Sequence, residues 1–195
     1  MLWALGAPAA EGSGKSILVF GDSLSAAYGI AQSRSWVALL EERLKRERID
    51  YSVANASISG ETSAGGRARI DAALARHRPS VVIVELGAND GLRGLPPAQM
   101  KANLAAIVER SRTAGARVLL LGMKMPPNLG PDYTAGFEKV FTDLSREQKI
   151  PLVPFMLDGF AEKPEYFQPD RIHPNERAQP LIVELVWPKL KPLLK

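Results

Sequence analysis

A serine hydroxyl becomes a nucleophile only when a base removes its proton, and that base is most often a histidine steadied by a carboxylate. The chain has no cysteine and two histidines, His77 and His173, so few such constellations are open to it. His173 stands in the run Pro169-Asp170-Arg171-Ile172-His173-Pro174-Asn175, three residues after Asp170. At that spacing one loop can orient its own imidazole, with the carboxylate accepting the Nδ1 proton and Nε2 left to face a hydroxyl. Ser23 is a fitting hydroxyl: it lies in Gly21-Asp22-Ser23-Leu24-Ser25, where an apolar run breaks into a strand-to-helix turn. His77 falls at the expected end of a helix, ahead of the apolar run at 81–84 and remote from Ser23.

Acyl transfer also needs donors for a developing oxyanion. Asn89, in Glu85-Leu86-Gly87-Ala88-Asn89-Asp90-Gly91, offers a side-chain amide, and Gly60 offers a backbone N–H that can approach a substrate closely. Each residue has a plainer reading. Ser23 can be a helix cap, Asp170 with His173 a polar network at a helix entry, and Asn89 and Gly60 ordinary turn residues. Their shared position after consecutive apolar runs argues for a common site. The turn is not the G-x-S-x-G elbow, because Ser25 stands where the second glycine would be.

The elements that must position these residues are legible as apolar runs alternating with helical spacing. Candidate strands are Ile17–Phe20, Tyr51–Ala54, Val81–Val84, Val118–Leu121 and Leu152–Phe155. Helical patterns cover Trp36–Arg46, about 64–76, Pro97–Ala114, Tyr133–Gln148 and 176–190, with Pro97 suited to a first turn and Gly115 to a stop. Apolar strands alternating with helices predict an α/β fold: a three-layer α/β/α sandwich, flavodoxin-like, with a five-stranded parallel sheet. Loops at the carboxyl ends of such strands converge on one edge, where ligands bind.

With 195 residues, of which 46% are apolar, the chain suits one domain over 15–195. Residues 1–14, MLWALGAPAAEGSG, read as the remnant of an export signal or as a tail, which makes a periplasmic or secreted location the expectation while leaving the cytoplasm open. The 25 basic and 21 acidic residues alternate in sign, so no nucleic-acid partner is expected. No run approaches the roughly 20 apolar residues of a membrane-spanning helix. A monomer without metal or cofactor, acting on a small acyl ester or thioester, is the expectation.

The blocks GDSLS, the Gly60 loop, GAND and DRIHPN resemble, in order and spacing, the SGNH hydrolase family, also called GDSL esterases and lipases. ELGANDGLRG, PLVPF and IHPNERAQP are similar to its bacterial branch of multifunctional thioesterases, proteases and lysophospholipases. The resemblance implies the SGNH hydrolase fold, a Ser23, Asp170 and His173 triad, and an oxyanion hole of Ser23, Gly60 and Asn89. It further implies a mobile loop over the acyl chain at Gly91 to Pro96, including Leu92, Arg93 and Leu95, with Met125, Pro126 and Asn128 along the groove. Arg171 departs from the glycine usual in relatives, and would be strained if that backbone needs a positive φ.

Competing readings are a deacetylase of polysaccharide or small molecules on the same fold, a silent carbohydrate- or lipid-binding module, and a flavodoxin-like FMN or nucleotide binder whose Gly21–Ser25 turn cradles a phosphate.

Overall fold

The computed structural model describes residues 14–195, so the expected signal remnant or tail lies, but for Gly14, outside the described residues. Five parallel strands, β1 (Lys15–Gly21), β2 (Tyr51–Asn55), β3 (Val81–Glu85), β4 (Arg117–Leu121) and β5 (Leu152–Val153), form one sheet in the order β2-β1-β3-β4-β5. The helices are α1 (Trp36–Arg46), α2 (Ser63–His77), α3 (Ala88–Leu92), α4 (Pro97–Thr113), α5 (Pro131–Gln148) and α6 (Gln179–Leu190). α1 packs with α6, while α2 packs with α4 and α4 with α5, giving the two helical layers that right-handed crossovers require when strand order reverses at β1 and β3.

The central strands show why the pattern is apolar throughout: Ile17 to Phe20 and Val81 to Val84 are wholly buried, because helices cover both faces. Amphipathic helices close over them. α1 buries Trp36, Val37, Leu40 and Leu44, and begins where the Ser35 hydroxyl accepts the Ala38 N–H at 3.2 Å.

The differences from the sequence-based expectation are local. β5 ends at Val153 instead of Phe155, since Pro154 has no N–H to continue the ladder. α6 begins at Gln179, not at 176, because the Asn175 side chain holds the Arg177 N–H at 2.9 Å in a turn ahead of the helix. α3 has no counterpart in the sequence pattern. It is a single turn following Gly87, whose φ of 120° and crowding against Met100 and Phe141 suit only glycine.

Candidate active site

All the loops in question leave the carboxyl edge of the sheet. After Gly21 the chain bends sharply: Ala26 N–H donates to the Asp22 carbonyl at 2.9 Å, and the Asp22 carboxylate accepts the Leu24 N–H at 3.0 Å. No helix follows, contrary to the expected strand-to-helix turn. Residues 23–29 form successive turns, and left-handed Ala27, at φ 61°, is incompatible with helix propagation. Local capping is therefore done by Asp22, while the Ser23 Oγ lies 2.9 Å from Nε2 of His173.

Asp170 and His173 occupy the tip of a narrow excursion between β5 and α6. Gln168 N–H donates to the His173 carbonyl and Asn175 N–H to the Tyr166 carbonyl, both at 2.8 Å, and the Gln168 amide donates to the Tyr28 carbonyl at 2.8 Å, tying this loop to the Ser23 turn. Asp170 Oδ1 accepts the N–H groups of Ile172 and His173 at 2.9 and 3.0 Å, and Oδ2 sits 2.7 Å from Nδ1 of His173. Desolvation works to raise the Asp170 pKa, but these two N–H groups and the imidazole outweigh it and hold the carboxyl at about 2. The Tyr28 ring packs against the imidazole with centroids 4.4 Å apart. Arg171 has a φ of 58°, so the strain expected at that position is present.

Beneath the nucleophile turn lies a pair of acids to which the sequence analysis assigns no role. Gly21 pairs with Glu85 across β1 and β3, and a Cβ on Gly21 would come within 2.6 Å of the Glu85 carboxyl. Glycine thus admits Glu85, which accepts the Ser25 hydroxyl at 2.7 Å and the Asp22 N–H at 3.3 Å. Burial pushes Glu85 well above the usual carboxyl range, and Asp22 adds to the shift. Burial also lifts Asp22 to about 6, against bonds from Leu24 and Asn89. Burial thus favours the neutral form of Glu85, and the neighbouring Asp22 charge adds to the cost of ionising it. The available signal is an acid closing each of two adjacent apolar strands, at Asp22 and Glu85. The pair also speaks against the phosphate-cradle reading: the Asp22 and Leu24 amides are bonded to carboxylates, the Gly21 amide to the Ser57 hydroxyl and the Ser25 amide to the Asp22 carbonyl, and a phosphate there would meet Asp22.

Asn89 donates from its side-chain amide to the Asp22 carboxylate and to the Glu61 carbonyl, both at 3.0 Å. Gly60 adopts a φ of 79°, and no atom comes nearer than 4.0 Å to the position a Cβ would take, so its glycine answers backbone conformation and not crowding. Its carbonyl accepts from the Arg93 guanidinium at 3.0 Å.

A cleft of about 460 Å³ opens beside Ser23 and His173, and Asp22 and Asn89 share its wall. Of the expected groove residues, Leu92, Met125 and Pro126 line it; Gly91, Arg93, Leu95 and Asn128 do not. Gly91 is buried within α3, where a Cβ would strike the Met125 sulfur at 2.2 Å, so it makes room for Met125. The expected loop over 91–96 is in part α3, and Tyr133 donates its hydroxyl to the Leu95 carbonyl at 2.9 Å. Asn128 lies exposed in a short turn after β4. Phe155, Leu157 and Phe167 complete the apolar wall, although they come from a segment that reads as strand and irregular loop in sequence. Among the described residues no group of three or more His, Cys, Asp or Glu is placed to hold a metal ion.

Comparison with known proteins agrees with this fold. The chain is 51% identical to Esterase TesA of Pseudomonas aeruginosa, over 94% of this chain and 92% of that one. It is 42% identical to thioesterase 1/protease 1/lysophospholipase L1 of Escherichia coli, over 92% and 85%. The crystal structure of the psychrotrophic esterase EstA from Pseudoalteromonas sp., inhibited by monoethylphosphonate, superimposes with a TM-score of 0.88 at 44% identity, covering 92% of this chain and 98% of that one. The profile of the GDSL-like lipase/acylhydrolase family matches residues 19–180, a span that runs from within β1 into α6 and takes in every loop of the site, and the chain belongs to that family.

Proposed function

We propose that the protein hydrolyses carboxylic esters and thioesters through an acyl-enzyme on Ser23. The observation that carries this reading is the unbroken relay from Asp170 Oδ2 to His173 Nδ1 at 2.7 Å and from His173 Nε2 to Ser23 Oγ at 2.9 Å. Ser23 Oγ attacks the acyl carbonyl while His173 takes its proton. The imidazolium, steadied by ionised Asp170, then protonates the departing alkoxide or thiolate. Water activated by the same imidazole attacks the acyl-enzyme and frees Ser23.

The backbone N–H groups of Ser23 and Gly60 and the Asn89 amide are the donors to the oxyanion. Asn89 takes part by sharing a hydrogen now given to the Glu61 carbonyl. The apolar cleft suits an acyl chain and would rank chains by buried area, at about 0.8 kcal/mol per methylene, which gives graded selectivity instead of a sharp cut-off. Relatives named esterase, thioesterase and lysophospholipase support ester and thioester substrates.

Hydrolysis of p-nitrophenyl esters from acetate to dodecanoate, with organophosphate labelling and mass mapping of the adduct, tests the proposal. Turnover of medium chains with the label on Ser23 is expected. Labelling elsewhere overturns the mechanism, and turnover of acetate alone replaces the acyl-chain reading by that of a deacetylase.

A further inference from the structure

Among the described residues five large apolar side chains are exposed: Tyr28, Ile58, Leu92, Leu95 and Ile172, from 36% to 51%. All five stand at the carboxyl edge of the sheet, in loops following β1, β2 and β3 and in the excursion that carries His173. Scattered apolar residues on a surface need no explanation, but their confinement to one edge does. An acyl chain in the cleft covers only some of them. Leu92 and Ile172 line the cleft, whereas Tyr28, Ile58 and Leu95 lie outside it and would remain in water with substrate bound.

Arginines neighbour two of these residues in the chain: Arg93 follows Leu92 and Arg171 precedes Ile172. Arg93 and Arg171 are exposed and form no ion pair among the described residues, and Lys124 is 3.9 Å from Glu138. Of the acids, Glu61 is bound to Arg69 at 2.6 Å and Asp170 to His173 at 2.7 Å, Glu162 is exposed on the cleft wall, and Asp158 and Glu165 are exposed elsewhere in the segment between β5 and α6. Exposed apolar side chains on the edge that bears an apolar cleft, two of them beside arginines without an ion-pair partner among the described residues, match a surface that is oily beneath and negative at its headgroups. No helix among the described residues is long and apolar enough to cross a membrane, so contact would be peripheral.

We infer that this rim docks the enzyme reversibly on an anionic lipid surface, with the cleft opening toward the lipid. The inference rests on the acyl-ester reading for the class of partner, and it implies that acyl chains enter from the lipid without first crossing water. Flotation with vesicles of equimolar phosphatidylcholine and phosphatidylglycerol tests it, using the Ser23→Ala protein so that lipid is not consumed. Binding is expected to be stronger than to phosphatidylcholine alone and to weaken with salt. Ile58→Glu removes an exposed apolar contact outside the cleft and adds a repelled charge, so it should weaken binding about tenfold. In the otherwise wild-type enzyme the same change should leave turnover of soluble p-nitrophenyl acetate unaltered.

Failure of the Ser23→Ala protein to float, or equal flotation of the Ile58→Glu variant, would overturn the inference. So would a concentration-dependent dimer, seen by sedimentation and abolished by Ile58→Glu, in the absence of vesicle binding: the rim would then pair two copies of the chain. Loss of soluble-ester turnover in the wild type would instead strike the acyl-ester reading, because vesicle binding is measured without catalysis.

Discussion

The two halves of the Ser-His-Asp arrangement are built in opposite ways. The Ser23 turn rests on a buried floor of Asp22, Glu85 and Ser25, each with little or no exposed surface, and its amides and carboxyls are bonded to one another. The loop of Asp170 and His173 stands out from the body, holds itself by short-range bonds across its own base, and places Arg171 in a left-handed conformation at its tip. Both contain a strained non-glycine residue, Ala27 in one and Arg171 in the other, whereas Arg48, Arg78 and Lys149 take positive φ just beyond helix ends. The lesson is that a nucleophile can be fixed from below by the core, while its base is fixed chiefly by the loop that carries it, with Tyr28 of the nucleophile turn bracing that loop and the imidazole.

The sharpest way to break the exposed half is Asp170→Asn. Asparagine can still accept from Ile172 and His173 but presents an NH₂ group to Nδ1, forcing the imidazole proton onto Nε2 and blocking its use as a base. A fall in kcat on the order of 10⁴ with unchanged thermal unfolding is expected from ester assays run beside calorimetry. Asn89→Ala, on the buried side, should lower kcat by roughly 10² to 10³, and KM for p-nitrophenyl octanoate should hardly move.

Stability measurements probe the floor itself. Glu85→Ala empties a buried site and strands the Ser25 hydroxyl and Asp22 N–H, so urea unfolding should show a loss of about 2–4 kcal/mol. Glu85→Gln keeps an acceptor and a donor and should cost less than about 1 kcal/mol. The pair also sets a pH dependence. Asp22 is raised in the folded state from 3.8 to about 6, so the native protein holds a proton the unfolded chain releases. Its contribution to stability should therefore be fully present below pH 3.8 and be lost as pH rises through about 6, by about 3 kcal/mol, and Asp22→Asn should flatten that slope. The smallest effect belongs to the exposed loop: Arg171→Gly relieves the left-handed strain and should stabilise by about 1 kcal/mol in the same unfolding assay.

The strand and helix order is legible because central strands buried on both faces read as unbroken apolar runs, as Ile17 to Phe20 and Val81 to Val84 do, and because α1, α4 and α5 have the right periodicity. Ser23, Asp170 and His173 are legible for a chemical reason: with two histidines and no cysteine, one residue remains for the base, and its carboxylate lies three positions away. Residues that act through space are not. Phe155, Leu157 and Phe167 join the cleft, Tyr28 covers the imidazole and Glu85 slides beneath Gly21 because separate loops converge, and nothing in the spacing of those residues records the convergence.

The sequence by itself thus determined the layer architecture and the identity of the reactive groups, since hydrophobic period and side-chain chemistry are local properties. Only the tertiary structure decided that two carboxyls meet beneath the nucleophile, that no helix directly follows Ser23, and that Gly91 packs against Met125 instead of lining the cleft, because burial, register and close approach exist only once distant segments meet.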